Sequence, residues 1–106
     1  MKGRDVSYIL LFVQQYRPSA AEAFLKLEAE FKELERSSPE LAQGRRYLSE
    51  GEPANTLLWE CEFASLDDVQ DALKKMADDP THQALFEKQL RYIVETRTEI
   101  YKTLDL

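Results

Sequence analysis

Two helical segments, each flanked by segments typical of β-strands, restrict this chain to a small number of folds. Residues 6–16 are rich in β-branched and aromatic side chains and predict a first strand with apolar residues on both faces. Residues 41–49 and 56–63 predict a hairpin, because glycine, proline and asparagine lie between them. Residues 92–104 are dense in β-branched residues and predict the last strand.

The first helix is predicted between Ser19 and Ser37. It begins with the sequence Ser-Ala-Ala-Glu, in which the Ser19 side chain caps the helix and Glu22 reaches back to the Ser19 amide. Side chains at helical spacing predict its apolar face: Phe24, Leu27, Phe31 and Leu34. Glu28 and Glu35 are expected outside that apolar face.

The second helical segment is predicted to consist of two helices. Ser65 begins a further capping sequence, and apolar residues recur at helical spacing from Leu66 to Met76. The helix is interrupted before Pro80, because proline cannot continue the hydrogen-bond ladder. Residues 81–90 predict a short helix after the interruption.

The order of elements is strand, helix, strand, strand, helix, strand. This order is that of the split βαβ, or ferredoxin-like, arrangement, an α+β fold in which an antiparallel sheet carries its helices on one face. A chain of 106 residues is long enough for one domain, so residues 1–106 are predicted to form a single domain.

Composition excludes several classes of function. A net charge of -6 without a basic stripe argues against nucleic-acid binding. One histidine and one cysteine cannot supply the usual zinc or iron–sulfur ligands, so neither metal nor cofactor is expected. The longest apolar run, residues 8–13, is too short to span a bilayer, and residues 1–5 do not resemble a signal peptide. No membrane partner is expected, and the predicted location is the cytoplasm.

One face of the predicted sheet would remain uncovered by helices. Successive side chains of a strand point to opposite faces of the sheet, so alternate residues form a row on one face. We expect the helices to cover the rows that contain Leu11, Trp59 and Val94. The face left over, with Tyr8 and the glutamates of the third and last strands, is too apolar to face water alone, so a homodimer is predicted. The principal residues of this predicted dimer face are Leu10, Phe12, Leu58, Glu60, Arg97 and Tyr101.

The segment from Phe63 to Phe86 resembles the second helical region of dimeric α/β-barrel proteins. Shared features are an aromatic residue and Ser65 at the helix start, alanine and leucine within the helix, and an Asp79-Pro80 step before a second short helix. The resemblance is to NIPSNAP-like proteins and then to antibiotic-biosynthesis-monooxygenase-like domains. It implies a homodimer whose two sheets close into an eight-stranded barrel, with ligand pockets between sheet and helices. That superfamily includes cofactor-independent oxygenases, isomerases and haem-degrading enzymes.

The chain departs from the haem-degrading members at each of their functional positions. Those members carry an asparagine near the first strand, a tryptophan in the second helix and a histidine shortly after it. This chain has Gln14 or Gln15, no tryptophan between residues 66 and 76, and Leu85 or Phe86 at the corresponding places. Haem degradation is therefore not expected, and the same departures argue against the quinone-forming oxygenases.

His82 is the candidate catalytic residue, because only its side chain has an ordinary pKa near neutrality. The competing interpretation is a solvated histidine at a helix start. Four aromatic residues are candidates for ligand binding, although each is equally suited to the core: Tyr8, Tyr47, Trp59 and Tyr92.

Three further features carry weaker signals. Cys61 is expected in the core, since no base partner is evident. Glu60 and Glu62 point to one face, where they could form an acid–base pair or ion pairs with Arg97 or Arg46. Arg46 and its neighbour Arg45 could also bind an anionic group.

The sequence therefore predicts a small homodimeric protein that binds a small hydrophobic or aromatic molecule between sheet and helices. One alternative is a cofactor-independent monooxygenase or isomerase that acts on an aromatic or polyketide-like substrate. The other is an interaction domain without a ligand.

Overall fold

The structure, a computed structural model, describes residues 6–104. In this range a four-stranded antiparallel sheet of spatial order β2-β3-β1-β4 carries three α-helices on one face. The elements are β1 (Tyr8–Tyr16), α1 (Ala21–Ser37), β2 (Arg45–Leu48), β3 (Thr56–Phe63), α2 (Leu66–Asp78), α3 (Pro80–Leu90) and β4 (Ile93–Lys102). The predicted ferredoxin-like α+β fold is confirmed. Of the helices described, none is long and apolar enough to cross a membrane.

Strand β2 is shorter than the predicted strand over residues 41–49, and the reason is local hydrogen bonding. The Leu41 amide donates to the Ser38 carbonyl at 2.9 Å, which closes a turn directly after α1. The Gln43 side chain donates to the carbonyl oxygens of Glu35 and Leu41. Residues 41–44 are therefore tied to the end of α1 and pair with β3 only from Arg45 onward.

The helices cover the face of β1 that carries its even-numbered residues. Phe12 pairs with Trp59 across β1 and β3, and the two rings stack with centroids 4.9 Å apart. Leu10 is completely buried in a cluster with Val69 and Met76 of α2. The Trp59 row was assigned correctly, but the expectation that Leu10 and Phe12 form a dimer face was wrong. Because β1 is apolar on both faces, alternation alone could not fix its orientation.

The helix starts show one wrong and one correct capping prediction. Ser19 lies in a short 3-10 turn (Pro18–Ala20), and α1 begins after Ala20 without any side-chain cap. Ser65 caps α2 as predicted, its hydroxyl accepting from the Asp68 amide at 3.1 Å. The predicted interruption is also present, because α2 ends at Asp78 and α3 begins at Pro80.

The uncovered face of the sheet, which carries the odd-numbered residues of β1, is apolar at its centre. Val13 lies between Leu58 of β3 and Arg97 of β4 in the strand register. Leu11 lies between a glutamate of β3 and a glutamate of β4 on the same face. A charged rim therefore surrounds an apolar centre on this face.

Candidate ligand-binding site

A cavity of about 230 Å³ lies between the helices and the covered face of the sheet. All three helices and all four strands contribute to its walls. We refer to it as the helix–sheet cavity. Its lining residues are Phe12, Gln14, Glu28, Phe31, Glu35, Arg46, Trp59, Leu73, Met76, Ala77, His82, Gln83, Phe86, Gln89, Thr96 and Thr98.

Aromatic and aliphatic side chains form much of the wall of the helix–sheet cavity. The stacked rings of Phe12 and Trp59 come from the sheet, and Phe31 and Phe86 come from α1 and α3. Met76 of α2 adds a flexible side chain that adapts to irregular shapes. Such walls suit the apolar body of a small molecule.

Three charged side chains line the same cavity and form what we call the buried ion cluster: Glu28, Glu35 and Arg46. Arg46 donates from Nε to Glu28 Oε2 at 2.6 Å and from Nη2 to Glu35 Oε2 at 2.6 Å. Its Nη1 donates to Glu35 Oε1 at 3.2 Å and to the Gly44 carbonyl at 3.4 Å. Burial alone would lower the pKa of Arg46, but its hydrogen bonds and charge interactions with the two glutamates outweigh burial and raise the pKa.

Glu35 connects the buried ion cluster to the aromatic wall. The Trp59 indole Nε1 donates to Glu35 Oε2 at 3.1 Å, and the Gly44 amide donates to Oε1 at 2.9 Å. A Cβ atom at Gly44 would overlap the Trp59 ring, so only glycine allows this close approach. Four donor groups from three residues thus hold the Glu35 carboxylate in one position.

The inward position of Glu28 and Glu35 corrects the sequence analysis, which expected both outside the apolar face of α1. The buried residues of α1 are Phe24, Glu28, Phe31 and Glu35, at successive spacings of four, three and four. The same spacing was visible in the sequence. It was missed because a glutamate is rarely buried without a partner, and the partner Arg46 is distant in sequence.

Gln89 of α3 is completely buried and lines the helix–sheet cavity. Its Nε2 donates to Glu28 Oε1 at 2.9 Å and to the Phe24 carbonyl at 3.4 Å. Its other polar atom, Oε1, is buried without a hydrogen-bond partner. The sequence analysis did not single out Gln89, because a glutamine in a helix gives no signal of burial.

His82 lies near the start of α3 and lines the same cavity. Its backbone amide donates to Asp79 Oδ1 at 2.8 Å, so Asp79 caps the helix and fixes the position of His82. The imidazole packs edge-on against Phe31 with ring centroids 4.8 Å apart, and its Nδ1 is buried without a partner. Burial lowers the pKa of His82 below its usual value and outweighs the charges of Asp79, Glu35 and Glu28, which act to raise it. The neutral ring is therefore favoured at pH 7.

The four aromatic candidates for ligand binding are separated by the fold. Trp59 lines the helix–sheet cavity together with His82. Tyr8 instead packs against the cluster around Leu10, and Tyr92 packs against the cluster around Phe24. Tyr47 donates its hydroxyl to Glu60 Oε1 at 3.0 Å at the edge of the uncovered face.

The remaining predicted residues lie away from the cavity. Leu58, Glu60, Arg97 and Tyr101 occupy the uncovered face, and their role in dimerisation stays a prediction. Within the subunit Arg97 pairs with Glu99 Oε2 of its own strand at 2.6 Å, and its pairing with the glutamates of β3 across a dimer stays a prediction.

Cys61 lies on the covered face, packed against the cluster around Leu10. Burial raises the pKa of its thiol, with nearby carboxylates acting in the same direction. In residues 6–104 no group of three or more histidine, cysteine, aspartate or glutamate side chains is arranged to hold a metal ion.

No family model matches this chain, and no curated protein is similar to it at a significant level. Solved structures are similar to it. A NIPSNAP family protein from Agrobacterium tumefaciens str. C58 superposes with a TM-score of 0.81 at 20% identity, covering 99% of this chain and 92% of that one. A second NIPSNAP family protein of unknown function from the same organism gives 0.78 at 22% identity, covering 95% and 91%.

An antibiotic biosynthesis monooxygenase superposes with a TM-score of 0.70 at 13% identity, covering 93% of this chain and 98% of that chain. At these levels of identity the similarity is one of fold, which does not assign an activity. The fold of this chain is therefore that of NIPSNAP family proteins and of antibiotic biosynthesis monooxygenase, as the resemblance in the helical region predicted.

Proposed function

We propose that this protein is a homodimer that binds a small hydrophobic or aromatic molecule in the helix–sheet cavity of each subunit. The observation that carries the proposal is the cavity itself, with aromatic walls and unpartnered polar atoms of Gln89 and His82 among its lining residues. A side-chain-filled core of ordinary packing density leaves few such spaces. An apolar cavity with a few polar groups at fixed positions is the usual form of a small-molecule site.

The uncovered face supports the homodimer. Leu11, Val13 and Leu58 form its apolar centre, and the helices of the described range all pack on the opposite face. Val13 is already only 7% exposed in the single subunit, so packing two such faces together would remove mainly the half-buried Leu11 and Leu58 from water. The proposed dimer therefore rests on the chemistry of this face.

Trp59 provides a direct test of ligand binding. It is the single tryptophan of the chain and lines the cavity, so its fluorescence should report a bound molecule. We expect para-tert-butylanisole, an uncharged aromatic probe, to change the Trp59 emission in a saturable way. Ala77 lies exposed at the rim of the cavity, and Ala77→Phe should weaken binding roughly tenfold by filling the space.

The matched control is Ala84→Phe, an exposed position on α3 that does not line the cavity. This variant should bind the probe as the wild type does. Absence of a saturable change in the wild type with this probe and with its hydroxyl and amine analogues, or equal binding by Ala77→Phe, would contradict the proposed site.

His82 favours a second candidate function, an isomerase that needs no cofactor. A neutral imidazole in the cavity could take a proton from an acidic C–H group and return it at another position, which leaves the composition of the substrate unchanged. Exchange of the acidic protons of phenylacetone for deuterium, followed by NMR, tests this chemistry. The isomerase predicts accelerated exchange that His82→Gln abolishes. An unchanged rate in that variant would exclude His82 as the base.

A further inference from the structure

The unpartnered oxygen of Gln89 indicates the polarity of the molecule that the helix–sheet cavity accepts. Gln89 is a lining residue with no exposed surface, so neither bulk water nor a ligand reaches its Oε1 until a neighbouring side chain shifts. An unsatisfied buried acceptor destabilises the folded protein, and a donor group of a suitable ligand would relieve this cost. This inference rests on the proposed function, because it concerns the ligand of the same cavity.

The orientation of the Gln89 amide is fixed by its neighbours. Its Nε2 lies 2.9 Å from Glu28 Oε1 and 3.4 Å from the Phe24 carbonyl, and both of these atoms accept hydrogen bonds only. Exchanging the two ends of the amide would place an oxygen against a carboxylate and a carbonyl. The free atom is therefore the carbonyl oxygen, and it requires a donor.

The charges around the cavity disfavour an anionic ligand. Arg46 is the single cationic residue of the lining at neutral pH, and its three guanidinium nitrogens already donate to Glu28, Glu35 and the Gly44 carbonyl. With two carboxylates and one guanidinium, the buried ion cluster carries a net charge of 1 − 2 = −1. An anion would meet this excess negative charge, and four of the five N–H donors of Arg46 are already engaged.

We infer that the cavity selects an apolar molecule carrying an uncharged or cationic hydrogen-bond donor, a hydroxyl or an amine, which donates to Gln89 Oε1. The aromatic wall holds the apolar body, and the Gln89 oxygen holds the donor. His82 lies seven residues earlier on α3, two turns away and about 10 Å along the helix axis. Its Nδ1 is also buried without a partner, and we expect it to make a second polar contact with a molecule that extends along α3.

Four probes with the same hydrocarbon body test this selection: para-tert-butylphenol, para-tert-butylbenzylamine, para-tert-butylanisole and para-tert-butylbenzoate. Binding is measured at pH 7 from the emission of Trp59. We expect the phenol or the amine to bind roughly tenfold or more tightly than the anisole, which has no donor. The benzoate should bind most weakly. Comparing the affinities of the phenol and the amine shows whether the cavity prefers an uncharged donor or a cationic one.

Gln89→Met removes the acceptor at similar side-chain length, and it should abolish the preference for the donor-bearing probes. Gln70→Met is the matched control, because Gln70 is an exposed residue of α2 that does not line the cavity. This control should retain the preference. If Gln89→Met fails to fold, the comparison of the four probes on the wild type still decides the question.

Equal binding of phenol, amine and anisole by the wild type would overturn the inference. Tightest binding of the benzoate, or an undiminished donor preference in Gln89→Met, would also overturn it. The wild type could bind the phenol, the amine and the anisole equally, with this binding weakened in Ala77→Phe. The cavity would then be a binding site without donor selection, and only this inference would fail. If none of the four probes binds, both the proposed function and the inference are contradicted.

Discussion

The indole nitrogen of Trp59 donates to the carboxylate of Glu35 at 3.1 Å and thereby joins the aromatic wall of the cavity to the buried ion cluster. Trp59 comes from β3 and Glu35 from α1, so this bond ties the sheet to a helix that covers it. Both residues are less than 7% exposed. The shape of the cavity therefore depends on the integrity of the ion cluster, and the predictions below test that dependence.

Arg46→Met should destabilise the protein by about 3–5 kcal/mol, because it leaves the carboxylates of Glu28 and Glu35 buried without their cation. Arg45→Met is the control, since Arg45 is exposed and lies on the other face of the strand. Its cost should stay below about 0.5 kcal/mol. Urea denaturation measures both, and similar costs for the two variants would contradict the assigned role of Arg46.

Gly44→Ala should displace Trp59, because the added Cβ overlaps the indole ring. We expect a destabilisation of about 1–3 kcal/mol together with altered Trp59 fluorescence. Gly51→Ala provides the comparison: Gly51 has a φ of +83° in open space, so alanine strains the backbone there without touching Trp59. A Gly44→Ala variant with the emission spectrum of the wild type would show that the close approach is not required.

Ser65→Ala should lower the free energy of unfolding by about 1 kcal/mol, because the Ser65 hydroxyl accepts from the amide of Asp68 at the start of α2. Ser19→Ala should have almost no effect, since α1 begins without a side-chain cap. Thermal denaturation of the two variants separates these roles. A larger loss in Ser19→Ala than in Ser65→Ala would contradict the helix starts described above.

Protonation of His82 should destabilise the folded state. Burial lowers the pKa of His82 on folding, so the unfolded chain binds the proton more tightly. The contribution of neutral His82 to the free energy of unfolding is complete above the unfolded pKa of about 6.5. It is lost as the pH falls toward the lower pKa of the folded state. His82→Gln should be less sensitive to acidification between about pH 7 and about pH 5.5 than the wild type. Parallel stability curves for the two proteins would refute this assignment.

Leu11→Glu should dissociate the proposed dimer. It would place a third carboxylate between Glu60 and Glu99, which flank Leu11 across the uncovered face. Leu66→Glu is the control, because Leu66 is exposed at the start of α2, on the helical side of the molecule. Analytical ultracentrifugation should show monomers only for Leu11→Glu. A dimer in both variants would mean that another surface forms the interface.

The fold could be predicted from the sequence because its periodicities are strong and local. The helical spacing predicted the existence of α1 and α2, and the capping serine Ser65 and the Pro80 interruption each correspond to an observed boundary. The faces of β1 could not be predicted, since apolar residues occupy both of them and only the register with β3 decides which row meets the helices.

The candidate site could be predicted only in part. His82 was identified by its ordinary pKa near neutrality and Trp59 as an aromatic residue suited to a pocket wall, and both line the cavity. Glu28, Glu35 and Arg46 were not recognised as a unit, because their pairing is set by tertiary contacts between α1 and β2. Gln89 was missed for the same reason: its partners on α1 are more than sixty residues away in sequence.

Native mass spectrometry of the protein, purified gently from its host, tests the central claim most directly. We predict a species with twice the mass of the 12.3 kDa chain that carries a small organic adduct, released on gentle activation. Identification of the adduct would also show whether it carries a hydroxyl or an amine. A monomer without an adduct would contradict both the dimer and the ligand-binding cavity.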